Sequence, residues 1–318
     1  MAADELSIVS PELNPRVAVL LSTYNGEVWL GAQLDSLAAQ EGVAIEVFVR
    51  DDGSTDGTLA VLAKYAQLWP ALAAPVRGEN LGPAASFVEL LRGAPDDFDY
   101  YAFCDQDDVW LPDKLARATV RLRKQPEGGP VLYCSSVLCV DSELRPLGAR
   151  GVDGDARFDH LLFENIAMGN TVVMNPPARM LICSRPPGSG MFMHDWWCAL
   201  VVSALGTVLY DERPGVLYRQ HQGNVIGATP SRLLETFDLL KRLWRDPRNF
   251  YPIHAQAAEF LRLYGDAIEP RQRRLTQALV ASRRSLIARI RYAVSGEMIR
   301  TGLVWTIAGR LLVVADLY

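Results

Sequence analysis

Residues 17–22 read VAVLLS, a short continuous apolar run that ends at the polar turn TYNG of residues 23–26. An apolar run without alternating polar residues is typical of a parallel strand that is buried on both faces. Residues 27–40 follow with leucines at helical spacing, so the pattern predicts a helix directly after this strand. A buried strand followed by a helix is the repeating unit of a parallel α/β sheet, and this stretch therefore decides the fold class.

The same strand and helix unit repeats up to residue 125 and then changes character. The pattern predicts further strands at residues 45–50, 73–76 and 100–104, and helices at residues 58–68, 83–91 and 114–124. Short connections between these elements favour a doubly wound, mostly parallel sheet flanked by helices. Later strands are expected near residues 131–140, 170–174, 207–210 and 215–219. From residue 231 onward the pattern predicts helices at residues 231–244, 252–265 and 270–293.

Composition and charge divide the chain into an acidic body and a basic tail. The 318 residues are 49% hydrophobic and 22% charged, which excludes collagen-like, low-complexity and wholly disordered classes. We expect a flexible N-terminus at residues 1–15, an α/β domain at residues 16–230 and a basic helical region at residues 231–318. Residues 1–231 hold 17 Lys and Arg against 29 Asp and Glu, whereas residues 232–318 hold 15 against 8. The asymmetry indicates that the two parts contact different partners.

Several coarse features favour a cytoplasmic location. The longest stretch without a charged residue, residues 196–210, is shorter than the roughly 20 apolar residues of a membrane span. The N-terminal residues 1–16 are acidic and lack the apolar segment of a secretory signal. The five cysteines show no CxxC spacing, which predicts free thiols in a reducing compartment and excludes a cysteine metal site.

Polar residues follow four successive predicted strands, at residues 22–25, 51–52, 80–82 and 105–108. In open parallel sheets, ligands bind beyond the carboxyl ends of the strands, so these residues are expected to share one crevice. Asn80 taken alone has an equally ordinary role as a turn or capping residue. The sequence contains neither a P-loop nor a GxGxxG motif after the first strand, which disfavours nucleotide hydrolases and dinucleotide-dependent dehydrogenases.

The acidic cluster Asp105, Asp107 and Asp108 places three carboxylates within four residues. Three neighbouring carboxylates repel one another unless a cation lies between them. Mg²⁺ and Mn²⁺ are typically held by one or two carboxylates together with substrate phosphates. The cluster therefore predicts a crevice for a metal and a diphosphate.

These motifs together resemble a known family. STYNG at 22–26, DDGSTDGT at 51–58, ENLG at 79–82 and DQDDVWLPDKL at 105–115 are similar to motifs of the family 2 glycosyltransferases, which have the GT-A fold. HDWW at 194–197 and YRQHQGN at 218–224 resemble the bacterial rhamnosyltransferase branch. The resemblance covers residues 16–226 and implies a GT-A, Rossmann-like domain with a C-terminal helical extension, a nucleotide-sugar donor, a divalent metal and an inverting transfer.

The resemblance also implies roles for individual residues on the donor side. The residues expected to contact the nucleotide-sugar are Thr23, Tyr24, Asn25, Asp52, Asn80, Gly82, Asp105, Gln106 and Arg219. The expected ligands of Mn²⁺ or Mg²⁺ are Asp107 above all, together with Asp105 and His221. Asp108 could serve the metal or cap the helix that begins near Pro112. His221 could equally be an ordinary hydrogen-bonded loop histidine, and Arg219 could pair with a surface carboxylate.

On the acceptor side, the resemblance places the general base at Asp195. An acceptor hydroxyl has a high pKa and must lose its proton as it attacks the anomeric carbon, so a carboxylate suits this position. Asp195 could also cap the helix that begins at Trp196. The expected acceptor-site residues are Trp196, Trp197, Gly169 and Asn170, although two adjacent tryptophans on a helix point in different directions and at most one can stack on a sugar.

The basic tail carries arginines between residues 271 and 300, and Leu275, Leu279, Leu286 and Ile290 recur there at helical spacing. Such a basic amphipathic segment could bind an anionic membrane surface. It could equally pack on the acidic body or on a second subunit, giving a homodimer through the C-terminal helices. Nucleic acid is a poor partner, because the tail lacks interleaved aromatic residues and the body is acidic.

The sequence therefore favours a metal-dependent inverting glycosyltransferase. The resemblance implies L-rhamnose from dTDP-rhamnose as the transferred sugar and a bacterial cell-surface glycan or a lipid-linked molecule as the acceptor, with the enzyme at the inner face of the membrane. The alternatives are a UDP-hexose donor, a non-catalytic nucleotide-sugar-binding protein or membrane scaffold, and a sugar-nucleotide pyrophosphorylase. The last alternative lacks its Gly-rich phosphate loop after the first strand.

Overall fold

The computed structural model of the chain describes residues 14–151, 156–221, 252–295 and 303–315. Its strands are β1 (Arg16–Thr23), β2 (Ala44–Asp51), β3 (Val76–Arg77), β4 (Tyr100–Cys104), β5 (Val109–Trp110), β6 (Val131–Ser135), β7 (Val137–Val140), β8 (Pro146–Arg150), β9 (Val173–Met174), β10 (Thr207–Asp211) and β11 (Val216–Arg219). Its α-helices are α1 (Leu30–Ala38), α2 (Thr58–Leu68), α3 (Pro83–Gly93), α4 (Lys114–Arg123), α5 (Phe158–Leu161), α6 (Pro176–Ser184), α7 (His194–Leu205), α8 (Ile253–Tyr264), α9 (Pro270–Ser282), α10 (Leu286–Val294) and α11 (Leu303–Val314).

Seven strands form the main sheet in the order β10-β6-β9-β4-β1-β2-β3. Strand β1 pairs in parallel with β2 and β4, and β10 pairs in parallel with β6. Strand β9 runs antiparallel to both of its neighbours, β4 and β6. The predicted class, a mostly parallel sheet flanked by helices, is confirmed. All the strands from β1 to β4 end at one edge, which is where the crevice was expected.

A second sheet, in the order β5-β11-β7-β8, lies next to the main one. Strand β11 pairs antiparallel with β5 and parallel with β7, so residues 216–219 are placed beside residues 109–110. The short strands β5 and β8 and the helices α5 and α6 were not predicted, because their segments are short or carry prolines and glycines. This small sheet matters for function because it joins the acidic loop after β4 to the late segment around residue 219.

The main sheet is buried on both faces, as the apolar run of β1 predicted. Alternate residues of β1 enter opposite cores: Ala18 and Leu20 pack with α3 and α7, whereas Val17, Val19 and Leu21 pack with α1 and α4. All five of these side chains are fully buried. Burying an aliphatic side chain of this size contributes about 1.5–3 kcal/mol, so both cores stabilise the strand that positions the crevice.

The C-terminal helices pack on the first of these cores. Phe260, Tyr264, Leu275 and Leu279 are buried against it, so helices α8 and α9 share a core with the sheet. The helix predicted over residues 270–293 is two helices, since the chain turns after Ser282 and the Ser285 side chain caps α10 by accepting from Ala288 N at 3.2 Å.

Four predictions lie wholly or largely outside the described residues. They are the flexible N-terminus at residues 1–15, of which residues 1–13 are not described, the helix at residues 231–244, the boundary between residues 230 and 231, and the end of the motif at residues 222–224. Within the described part of the chain, every helix is too short or too polar to cross a membrane.

Candidate active site

A cleft with a cavity volume of about 390 Å³ opens at the carboxyl edge of the main sheet. Its wall combines residues from strand ends, from the connection between α5 and β9, and from the start of α7. The lining residues are Ser22, Tyr24, Asp52, Asn80, Gly82, Pro83, Phe87, Asp105, Gln106, Asp107, Arg150, Phe163, Glu164, Asn165, Met168, Gly169, Asn170, Phe192, Met193, His194, Asp195, Trp196 and Tyr218.

The loop after β1 reaches the cleft through Tyr24, which is 47% exposed. Gln106 holds this loop, because its side chain accepts from Tyr24 N at 2.8 Å and donates to Tyr24 O at 2.9 Å. Thr23 is fully buried and donates to Asp51, while Asn25 accepts from Thr55 N at 2.8 Å. Thr23 and Asn25 therefore shape the loop and are not among the residues that line the cleft, so their contacts with a donor stay a prediction.

The two aspartates after β2 are both held by protein groups. Asp51 is fully buried and accepts from the backbone and the side chain of Ser54. Asp52 pairs with the buried Arg50 and accepts from Leu81 N and Gly82 N at 3.0 and 2.8 Å. Asp52 also lines the cleft, so a contact with the nucleotide base stays a prediction, but its present bonds already hold the loop before α3.

Asn80 and Gly82 form the next part of the wall, where the chain enters helix α3. Asn80 Oδ1 accepts from Gly82 N at 3.0 Å, the side-chain turn that was the alternative reading of this residue. Gly82 has a φ of 76°, a left-handed conformation that favours glycine. Both residues reach the cleft as predicted, with their roles toward a donor still a prediction.

The acidic loop after β4 separates three carboxylates by their surroundings. Asp108 is fully buried and accepts from the Asn170 side chain and from Arg219 N at 3.0 Å. These bonds tie the acidic loop to β11 and to the turn before β9, so Asp108 acts as an anchor inside the protein. Asp105 and Asp107 face the cleft instead.

Asp107 is joined to His221, whose Nε2 lies 3.0 Å from its Oδ2. The imidazole is held in place by stacking on Trp29, with ring centroids 5.6 Å apart. Arg219 also packs on Trp29, with its guanidinium 4.5 Å from the centroid of the ring, and its Nε donates to Asp107 O at 2.9 Å. Arg219 is almost fully buried and does not line the cleft, so it positions the acidic loop and does not face a diphosphate as predicted.

The donor set fits a metal held jointly with a substrate. Among the described residues, no three Asp, Glu, His or Cys side chains converge on one closed metal site. Asp107 supplies a carboxylate at the cleft, and His221, which is not among the lining residues, places an imidazole 3.0 Å from that carboxylate. Phosphate oxygens would complete the coordination. Asp105 is next to them, and burial together with the charges of Asp107 and Asp195 raises its pKa to about 8. A divalent cation would relieve that repulsion.

Lys114 is the buried cation beneath this loop. It is fully buried, its Nζ lies 2.8 Å from the centroid of the Trp110 ring, and it has no hydrogen-bond partner among the described residues. Burial lowers the pKa of the ammonium, while the charges of Asp108 and Asp105 act in the opposite direction. Burial has the larger effect, so the charged form of Lys114 is disfavoured beneath the acidic loop.

Asp195 is the carboxylate on the predicted acceptor side of the cleft. It is the second residue of helix α7, is 5% exposed and lines the cleft. Burial raises its pKa to about 6, although hydrogen bonds from Trp196 N, the Asn165 side chain and Gly169 N stabilise the ionised form and hold the rise back. The N-cap of the helix is Met193, so Asp195 does not cap it as the alternative role predicted; its carboxylate accepts from the adjacent Trp196 N at 2.6 Å and stays on the cleft wall.

His194 next to Asp195 is a cleft residue without a predicted role. Its ring stacks on Phe87 with centroids 4.1 Å apart, and both ring nitrogens lack a partner among the described residues. Burial lowers its pKa to about 3, so the imidazole is neutral at physiological pH. Gly169 packs against this pair: a Cβ there would lie 2.9 Å from His194 Nε2 and 3.6 Å from Asp195 Oδ2. The glycine therefore leaves room beside the carboxylate.

The two tryptophans of the motif separate as expected for neighbours on a helix. Trp196 lines the cleft and donates from Nε1 to Leu161 O at 2.6 Å. Trp197 is fully buried and contacts Phe260 and Tyr264. Its predicted place in the acceptor site is therefore corrected, because it belongs to the core beneath α8. Asn170 does line the cleft, with its Oδ1 unpaired within the described part of the chain.

Several wall residues were not predicted. They are Pro83, Phe87, Arg150, Phe163, Glu164, Asn165, Met168, Phe192, Met193, His194 and Tyr218. Tyr218 and His194 lay inside quoted motifs, so their positions were available signals. Phe163, Glu164 and Asn165 follow the short helix α5, and nothing in the sequence connects them to Asp195.

Comparison with known proteins agrees with this geometry. Residues 18–140 match the family model described as Glycosyl transferase family 2. A dTDP-rhamnosyl transferase, RfbG of Shigella flexneri, is 29% identical over 220 residues, which are 66% of this chain and 75% of that protein. The uncharacterized Mycobacterium tuberculosis protein Rv1520 is 34% identical over 212 residues, 64% of this chain. The match spans only 59% of the length of the mycobacterial protein.

Solved structures with similar folds lead to the same class. S. aureus TarS (residues 1–349) gives a TM-score of 0.56 at 19% identity, covering 88% of this chain and 75% of that one. The mannosyltransferase PcManGT from Pyrobaculum calidifontis gives a TM-score of 0.52 at 20% identity, covering 96% of this chain and 75% of that one. These likenesses confirm the GT-A fold. Residues 18–140 therefore form a domain of the Glycosyl transferase family 2 type, and the chain is similar to the rhamnosyl transferase relative.

Proposed function

We propose that this glycosyltransferase moves L-rhamnose from dTDP-rhamnose to a hydroxyl of a bacterial cell-surface glycan or a lipid-linked acceptor, with inversion at the anomeric carbon. One observation carries the proposal: a single cleft is lined by Asp107, which His221 contacts from behind at 3.0 Å, and by the buried carboxylate of Asp195. The pair suits a metal-bound diphosphate, and the carboxylate suits the deprotonation of an acceptor.

On the donor side, Asp107 and His221 would hold Mn²⁺ or Mg²⁺, with Asp105 beside them. The cation would offset the charge of the departing diphosphate. The protein supplies the rest of the arrangement. Asp108 and Arg219 hold the acidic loop at the cleft, and the stacking of His221 on Trp29 keeps the imidazole oriented. The relative PcManGT was solved with GDP-Man and Mn²⁺, which supports a metal and a nucleotide-sugar at this kind of site.

On the acceptor side, Asp195 would act as the general base. The acceptor oxygen attacks the anomeric carbon and forms the new C–O bond, while the bond between that carbon and the diphosphate oxygen breaks. The diphosphate leaves with the electron pair, and the acceptor proton moves to Asp195. Because the pKa of Asp195 is about 6, the carboxylate is mostly ionised at neutral pH and still basic enough to accept this proton.

The choice of donor rests on the similarity to the dTDP-rhamnosyl transferase RfbG. A UDP-hexose is the competing donor, and a protein that binds a nucleotide-sugar without transferring it is the competing function. Two alternative partners are proposed for the C-terminal region: the anionic inner face of the membrane, or a second copy of the chain.

Thermal unfolding in the presence of dTDP-rhamnose, other dTDP-sugars and UDP-sugars, each with and without Mn²⁺, tests the donor. A ligand that binds only the native state raises the melting temperature, so dTDP-rhamnose with Mn²⁺ is expected to give the largest rise. A larger rise in melting temperature with a UDP-sugar would contradict dTDP-rhamnose as the donor and favour the UDP-sugar.

Release of dTDP with Mn²⁺, measured with and without acceptor, tests the reaction. Asp195→Asn is expected to retain the thermal shift and lose turnover. Tight donor binding in the unmodified protein without turnover on any acceptor would contradict the enzymatic proposal and favour the binding protein.

A further inference from the structure

The two last described helices expose apolar side chains that nothing in the described chain covers. Four of them lie on α10 and two on α11, with exposed fractions of 53% for Leu286, 80% for Ile287, 45% for Ile290, 74% for Val294, 49% for Ile307 and 64% for Leu311. The two helices pack on each other, and Arg289 Nε donates to Val314 O at 3.1 Å. Soluble monomers rarely expose grouped apolar side chains of this size, so a partner is indicated.

This surface differs from the amphipathic face that the sequence predicted. Leu275 and Leu279 are buried in the core of the body, with 3% and 1% exposure. Only Leu286 and Ile290 of the predicted leucine-rich face reach the surface. The bare face therefore belongs to α10 and α11, and helix α9 is an internal support.

The charges around the bare face have one sign. Residues 270–296 contain seven arginines and no Asp or Glu. Arg283, Arg284 and Arg291 are exposed on or next to α10, and none of them pairs with a carboxylate of the described residues. Exposed apolar side chains among unpaired arginines match the interface of a bilayer that contains anionic lipids.

The opposite face of α10 lies against the cleft wall. Tyr292 and Ala293 are buried, and the Tyr292 ring is 6.1 Å from the ring of Phe163. Phe163 lines the cleft two residues before Asn165, which binds the proposed base. The bare face and the acceptor side of the cleft are thus connected through a single helix.

We propose that the apolar face of α10 and α11, with Arg283, Arg284 and Arg291, docks on an anionic bilayer and holds the acceptor side of the cleft next to it. The inference deepens the proposed function, because a membrane partner brings a lipid-linked acceptor to Asp195, and it rests on that function for the acceptor. A second copy of the chain fits less well, since a two-fold contact through the same face would bring like charges together.

Vesicle cosedimentation of the full chain tests the docking surface. Vesicles of phosphatidylglycerol and phosphatidylcholine are expected to bind the protein, whereas vesicles of phosphatidylcholine alone bind it at least tenfold more weakly. Ile287→Asp with Val294→Asp should reduce binding at least tenfold. Arg284→Glu should reduce it by at least about fivefold, the equivalent of about 1 kcal/mol for one arginine near a membrane.

The matched control is Leu68→Asp with Val28→Asp, which places the same two charges at side chains that are 74% and 73% exposed elsewhere on the protein. It should bind vesicles like the unmodified protein. Equal binding by this control and by Ile287→Asp with Val294→Asp would overturn the proposal. So would a dimer in sedimentation that Ile287→Asp abolishes in a protein without vesicle binding.

Transfer to a water-soluble acceptor separates this proposal from the proposed function. Ile287→Asp with Val294→Asp should keep that activity while losing vesicle binding. If the unmodified protein binds vesicles but transfers no sugar, the docking proposal stands and the proposed reaction is wrong. If it transfers sugar but does not bind vesicles, the proposed reaction stands and the docking proposal is wrong.

Discussion

The two sides of the cleft are built in different ways. The nucleotide side gathers several loops that follow strand ends, and hydrogen bonds tie these loops to one another: Gln106 binds the backbone of Tyr24, and Asp52 accepts from Leu81 N and Gly82 N. The acceptor side joins the connection between α5 and β9 to the start of α7, where Asp195 receives hydrogen bonds from the side chain of Asn165 and the backbone of Gly169. Loops after neighbouring strands therefore shape one side, and the packing of one connection on one helix shapes the other.

A second difference follows among the carboxylates themselves. Asp51 and Asp108 are fully buried, accept hydrogen bonds from protein groups and are not among the residues that line the cleft. Asp52, Asp105, Asp107 and Asp195 line it, although Asp52 and Asp195 also accept hydrogen bonds from protein groups. A carboxylate enclosed by protein stabilises a loop, whereas one on the cleft wall is available to a ligand. The sequence motif alone does not separate these two groups.

The largest expected effect is on Asp195. Asp195→Asn should lower the transfer rate by about 10²–10⁴-fold, the usual contribution of a positioned base, with donor binding retained. Steady-state kinetics with saturating donor and metal measures this. Asp97→Asn, at an exposed ion pair with Arg16, is the control and should transfer at the normal rate. A normal rate in Asp195→Asn would show that Asp195 is not the general base.

Next in size is the contrast between Asp107 and Asp108. Asp107→Asn should lower metal-stimulated transfer by at least about 100-fold, more than the 10–100-fold typical of residues that only orient a ligand. Asp108→Asn should keep much of its metal response, because that carboxylate binds Asn170 and Arg219. Titration of activity with Mn²⁺ compares the two variants. An equal loss of metal affinity in both would contradict the assignment of Asp107 to the metal and Asp108 to the protein interior.

The pH dependence sharpens the same comparison. The raised pKa of Asp195, about 6, predicts that kcat/KM falls about tenfold per pH unit below pH 6 and levels off above it, because only the ionised carboxylate accepts a proton. The measurement is a pH profile at saturating metal. Residual activity of Asp195→Asn should lack this acidic limb, and the same limb in the variant would assign it to another group.

The stability of Asp195→Asn should move in the opposite direction to its activity. Since the folded pKa lies above the unfolded value of 3.8, ionisation of Asp195 destabilises the fold as pH rises from about 4 to about 6. Above pH 6 the variant should be more stable by on the order of 2–3 kcal/mol, with no difference below pH 4. Urea unfolding at pH 7.5 and at pH 3.5 checks both values; equal stability at pH 7.5 would contradict the burial argument.

The smallest effect is expected for Asp108→Ala, which leaves Asn170 Nδ2 and Arg219 N without their acceptor. A buried unsatisfied donor costs about 1–3 kcal/mol, so unfolding in urea should require less denaturant. The comparison is Asp108→Asn, which keeps the shape of the side chain and should lose less. A variant as stable as the native chain would show that the acidic loop is anchored elsewhere.

Much of the nucleotide side could be predicted from the sequence. Strand β4 and helix α2 were predicted at the bounds found in the structure, and the acidic loop after β4 reaches the cleft. The errors there concern which side chains turn inward. Thr23 is buried and Arg219 binds Asp107 O, although both belong to the motifs that reach the site.

The acceptor side and the C-terminal helices were predicted less completely. The motif around Asp195 was recognised, yet Trp197 lies in the core and Phe163 enters the wall from the unpredicted end of α5. In the tail, the leucines at helical spacing divide between the core and the surface because the chain turns after Ser282. A spacing pattern describes one helix and cannot show which neighbour covers it.

The sequence by itself determined the parallel α/β class, the resemblance to the family 2 glycosyltransferases and the identity of the carboxylates, because apolar periodicity and turn chemistry act over a few neighbouring residues. The tertiary structure alone decided which of those carboxylates line the cleft. It also brought Asn165 and Gly169 to Asp195 and left one face of α10 uncovered by the other described residues. These outcomes depend on contacts between segments far apart in the chain, where burial and hydrogen-bond saturation are settled only once the elements pack together.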